Sequence, residues 1–135
     1  MRWSELIEAV RESGQYATAA EAERVTRTVL SALGGQVVGV IGDERVELAA
    51  RLPVEAAKLI ADEVPVRRQL TAAEFVESVA LRLEGATPAT ARWDVSSVLA
   101  VLAQAVDGEL VDRLLGLLPP GYALLFGRAE LAQAA

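Results

Sequence analysis

The chain has 135 residues and a net charge of −6, with 53% hydrophobic, 4% aromatic and 24% charged residues. A length of this order buries roughly two thirds of its unfolded surface around one core, and the composition is far from that of disordered chains. The overall acidity and the single lysine, Lys58, leave the chain poorly equipped to neutralise phosphates, and the absence of cysteine and histidine excludes disulfides, thiolate or imidazole chemistry and the commonest metal ligands.

The first element is an amphipathic helix in which Trp3, Leu6, Ile7 and Val10 share one side and Glu5, Glu8, Arg11 and Glu12 lie mostly on the other, ending near Gly14. Thr18 with Glu21 three residues later forms a capping box for a second helix, whose buried stripe is Ala22, Val25, Val29, Leu30 and Leu33. Gly34 and Gly35 are expected to terminate it, and QVVGVIG to form a loop or helical turn. Asp43 is a suitable N-cap for a third helix through Leu48 to Leu52, and Pro53 can open a fourth at its first position. Residues 61–70, with Pro65 and adjacent arginines, read as a link.

A second capping box, Thr71 to Glu74, precedes Phe75, Val76, Val79 and Leu83, and this helix closes near Gly85. Thr87 as N-cap with Pro88 at the first helical position starts a long helix, the candidate centre of the fold, with Val95, Val98, Leu99, Leu102 and Val106. Asp107 or Gly108 restarts the chain into Leu110, Val111, Leu114, Leu115 and Leu118. Pro119 and Pro120 break it before a short last helix ending in Leu124, Leu125 and Phe126, and residues 127–135 are expected to fray.

These elements repeat. A shift of 69 residues pairs Glu5 with Glu74, Val10 with Val79, Thr18 with Thr87, Val29 with Val98 and Leu33 with Leu102. A shift of 66 then pairs Leu48 with Leu114, Leu52 with Leu118 and Pro53 with Pro119. The expected architecture is all-α: a single compact helical domain of two pseudo-repeats of about four helices each, at 3–60 and 71–126, with the helices at 19–33 and 88–106 packed centrally. Both Leu-Pro pairs should mark helix boundaries, with the leucines buried.

With these residues in order, the chain resembles the bacterial family called domain of unknown function 2267. The resemblance rests on AEAERVTRTVLSAL and VELAARLP in the first half and LLGLLPPGYALLF in the second, including Leu118, Pro119, Tyr122, Leu125 and Phe126. It implies an all-helical fold of two related halves and brings no catalytic or ligand-binding residue. The chain departs from the repeat pattern at Trp93, where the first copy has Arg24, and at the glycine-rich segment before Asp43.

The residues that could carry chemistry each have a plainer reading. Glu5, Glu8 and Glu12 at helical spacing are a solvated face before they are a cation site, and no twelve-residue calcium loop is present. The glycines of GGQVVGVIG lack the spacing of a phosphate loop, and Ser96 and Ser97 have no histidine to activate them. No catalytic residue, metal ligand or cofactor is therefore expected. Trp93 is the informative residue: with Ala89, Ser97 and Ala100 it lies away from the main apolar stripe. Its helix thus needs a second neighbour, either the other half or another subunit.

The expected role is a non-catalytic bacterial interaction or accessory protein in the cytoplasm. It would engage a protein partner or form a homo-oligomer, with no nucleic acid, given the acidic charge, and no membrane, since neither a signal peptide nor a spanning segment is evident. An enzyme using carboxylates such as Glu74, Glu77 and Asp94, or a carrier of an apolar small molecule between the halves, are the competing expectations.

Overall fold

Helix α1, Trp3–Gly14, buries Leu6, Ile7, Val10 and Gly14. It ends where Gln15 adopts a left-handed φ of 59°, so that the Tyr16 amide turns back to the Arg11 carbonyl at 3.0 Å. The computed structural model describes residues 1–37, 44–63, 66 and 68–128. Those residues form helices and connections, with no β-strand among them.

Helix α2, Ala19–Val37, follows the Thr18 cap, whose hydroxyl accepts from the Glu21 amide at 3.1 Å. It does not stop at Gly34 and Gly35 as the sequence pattern suggests. Both glycines are buried inside the helix, and a neighbouring segment packs on the first of them: a Cβ on Gly34 would stand 2.3 Å from the Ile60 carbonyl oxygen. Tertiary contact here overrides the stop signal. Of QVVGVIG, Gln36 and Val37 are helical, and the remainder, with the Asp43 cap, lies outside the described residues.

Helix α3, Glu44–Arg51, leads into Leu52 and Pro53, both buried, and α4 spans Val54–Ala61. Pro53 is the N-cap of α4 rather than its first turn, with φ −55° and ψ 148°. That one-residue displacement follows from extended backbone at the proline. The link is anchored: Val66 donates to the Gly35 carbonyl at 3.0 Å, and Leu70 donates to the side-chain oxygen of buried Gln36 at 2.9 Å.

Helix α5, Ala72–Arg82, carries the complete Thr71 and Glu74 capping box. Arg68 binds the same Glu74 carboxylate at 2.9 Å and holds it down at about 2. Helix α6, Pro88–Ala105, is capped by Thr87 and buries Ala91, Val95, Ser97, Val98, Leu99, Val101 and Leu102. Such a spread of buried positions requires neighbours on several sides, and α6 packs on α1, α2, α5 and on the two helices that follow it.

Helix α7, Gly108–Leu117, starts at the Asp107 cap, and α8, Tyr122–Leu125, closes the chain with Tyr122 against Phe75 at a ring distance of 5.5 Å. The Tyr122 hydroxyl donates to the Leu70 carbonyl at 2.9 Å. Leu118 is buried ahead of Pro119, as Leu52 is ahead of Pro53. Arg128 reaches back to the Asp112 carboxylate and the Gly108 carbonyl.

The packing has a regular plan. Helix α1 lies on α2 and α6, α5 lies on α6 and α2, α2 crosses α6, and α3 faces α7. One hydrophobic cluster runs through all of these contacts.

Candidate functional site

Two turns meet at one side of the molecule: residues 15–18 between α1 and α2, and residues 83–87 between α5 and α6. Between them opens a cleft of about 510 Å³. Its lining comes from positions 14–17, 21, 24 and 25 in one half and 83–86, 90, 93 and 94 in the other. Every lining position therefore has a lining residue 69 positions away in the sequence, and Arg24 and Trp93 are one such pair.

The cleft is built on Gly14. A Cβ there would stand 2.2 Å from the Tyr16 ring, so only glycine lets the ring fold back over the end of α1. Buried Tyr16 donates its hydroxyl to Asp94 Oδ1 at 2.6 Å, and Trp93 Nε1 donates to the Gly14 carbonyl at 2.9 Å. Two hydrogen bonds thus join the first turn to α6.

Burial raises the Asp94 carboxyl above the usual aspartate range. The Tyr16 hydrogen bond acts against this, Glu21 adds to it and Arg24 reduces it. Burial, and then the Asp94 carboxylate, push the Tyr16 phenol up as well. The phenol is consequently a fixed neutral donor at physiological pH. Glu21, Glu84 and Arg24 make no side-chain hydrogen bond or ion pair among the described residues.

The four residues singled out from the sequence are distributed along α6. Trp93 is 56% exposed at the cleft and Ala89 is exposed one turn earlier. Ser97 is buried and donates to the Trp93 carbonyl at 2.8 Å, and Ala100 is partly buried beside Gly127. The carboxylates Glu74, Glu77 and Asp94 are not brought together: Glu74 caps α5 in its pair with Arg68, Glu77 is exposed on α5, and of the three Asp94 alone lines the cleft. On α1, Glu5 caps the Arg2 amide and Glu8 pairs with Arg11. No group of three or more acidic side chains with metal-holding geometry occurs among the described residues.

Sequence reasoning missed Gly14, Tyr16 and Glu84. The available signal was the 69-residue shift applied to the turns, since it places residues 14–17 over residues 83–86.

A family model described as "Uncharacterized conserved protein (DUF2267)" matches residues 3–125. The chain belongs to this family. A search of curated proteins found no significant match. No helix among the described residues is long and apolar enough to cross a membrane.

Proposed function

We propose that this member of the DUF2267 family is a non-catalytic interaction protein of the bacterial cytoplasm, built from two copies of a four-helix unit, that receives a protein partner at the cleft between its two turns. The observation that carries this reading is Trp93: a large aromatic, more than half exposed, pinned by its indole N–H at the mouth of a concave site. Aromatic residues held rigidly at a surface supply contact area at low entropic cost and are enriched where binding energy concentrates.

Three arrangements support duplication. The helices follow one order in both halves. The cleft lining pairs throughout at a shift of 69. Glu47 and Arg113, equivalent at a shift of 66, face each other across α3 and α7 at 2.6 Å. An axis relating the halves would pass between such positions.

The competing readings have less support. Enzymic use of carboxylates calls for a pair with separated roles, and Glu74 and Glu77 stand away from Asp94. A carrier of apolar molecules calls for an enclosed apolar cavity, and this cleft is open and lined by Glu21, Arg24, Glu84 and Asp94.

The test is capture of partners from the native host with the unaltered protein and with Trp93→Arg, which gives the second half the residue of the first. Captured partners should be lost from a variant that remains helical and folded. Retention of the same partners by the folded variant would refute the cleft as the interaction site.

A further inference from the structure

The following rests on the reading of the cleft as the working surface, and it concerns what enters. We propose that the cleft receives an organic cation, the charged end of an arginine or lysine side chain on the partner protein, between the Trp93 indole and the carboxylates of Glu21, Glu84 and Asp94.

Trp93 has one polar hydrogen, and the Gly14 carbonyl takes it at 2.9 Å. What the exposed indole presents to a ligand is therefore its ring, whose negative face attracts cations. The cleft walls carry three carboxylates against one guanidinium, that of Arg24, so an anionic ligand is repelled. A purely apolar one would strip water from carboxylates and return nothing to them. Asp94 has its Oδ1 bound to Tyr16, and a cation at its other oxygen would offset the cost of its burial.

The chain already assembles this chemistry once, with its own residues. At the start of α1 the Arg27 guanidinium lies 5.2 Å from the Trp3 ring centroid, while Glu23 accepts from Arg27 at 3.1 Å and from the Trp3 indole at 3.4 Å. Tryptophan, carboxylate and guanidinium form a closed set there. At Trp93 the tryptophan and the carboxylates are in place, and no cation of the described chain lies over the ring.

The experiment titrates the full chain with three probes: acetyl-Gly-Arg-Gly-amide, the same peptide with neutral citrulline, and methylguanidinium. Chemical shifts of the Trp93 indole N–H and the Gly85 amide report binding. The arginine peptide should shift both signals saturably, at least tenfold more tightly than the citrulline peptide. Raising the salt concentration should weaken it. Asp94→Asn combined with Glu84→Gln should weaken it by tenfold or more, and Arg24→Gln should tighten it severalfold by removing the competing charge.

Equal binding of arginine and citrulline peptides would overturn the proposal. Methylguanidinium binding as tightly as the peptide would overturn the assignment to a partner's side chain. If partner capture still depends on Trp93 while the two peptides bind alike, the cation assignment falls alone. If capture is indifferent to Trp93, the reading beneath it falls as well.

Discussion

Gly14, Tyr16 and Asp94 act as a unit at the residue scale, because the missing Cβ of the first makes room for the ring of the second, whose hydroxyl reaches the third. Tyr16→Phe leaves the half-buried carboxylate without its donor and should cost about 1 kcal/mol in urea unfolding. A loss below about 0.3 kcal/mol would show that solvent replaces the phenol fully. Asp94 has a distinct pH signature. Its folded-state value is raised, so the fold favours the protonated acid; that contribution is present below the unfolded-state value and is lost as pH rises through the raised value. Around it stand Tyr16 on the turn and Glu21 and Arg24 on α2. Asp94→Asn keeps an acceptor for Tyr16 and removes the titration. The variant should match or exceed the parent in stability at neutral pH and show a flatter profile from about pH 4 upward; a steeper profile would contradict the assignment.

Two glycines test the packing at the scale of elements. Gly34 lies where α2 meets α4, and a Cβ there collides with backbone at Ile60, which cannot swing aside as a flexible side chain would. Gly34→Ala should therefore destabilise by about 3 kcal/mol or more, at the upper end of overpacking costs. Gly116, near the end of α7, has open space where its Cβ would stand. Gly116→Ala should be neutral to stabilising, by up to about 1 kcal/mol, through helix propensity and unfolded-state entropy. Similar melting temperatures for the two variants would mean that α2 and α4 do not meet as described. Leu118 closes α7 as Leu52 closes the region after α3, and both are buried. Leu118→Ala should cost about 2–5 kcal/mol as a core truncation, and a loss under about 0.5 kcal/mol would place it at the surface.

The pairing of Glu47 with Arg113 gives the whole-molecule test. Both side chains are about a third exposed, at 34% and 38%, so solvent screens the bond and it is worth little by itself. Its use is geometric. If the halves are copies, the two positions have similar surroundings and the charges can be exchanged. Glu47→Arg and Arg113→Glu should each weaken the fold by placing like charges together, and the double exchange should recover most of the loss. A double variant no more stable than the worse single one would argue against equivalent surroundings. Unaltered spectra in the double variant would also exclude rearrangement as the source of recovery.

The all-helical class, the Thr71 and Thr87 caps, the Leu-Pro boundaries and the family all followed from local sequence, because each rests on side chains a few residues apart: an apolar face every three to four positions, a hydroxyl facing the next turn's amides, a proline without a donor. Tertiary structure decided three things that no local window contains. Helix α2 continues through Gly34 and Gly35, with α4 packed on the bare backbone of Gly34. Trp93 turns its N–H to the first half and stays more than half exposed, which helical phase alone left open between an internal and an external contact. The cleft itself arises where the turns at residues 15–18 and 83–87 converge. The 69-residue spacing was visible in the chain, but only folding brings the two turns face to face, since their separation in space depends on how the helices pack and not on any residue in either turn.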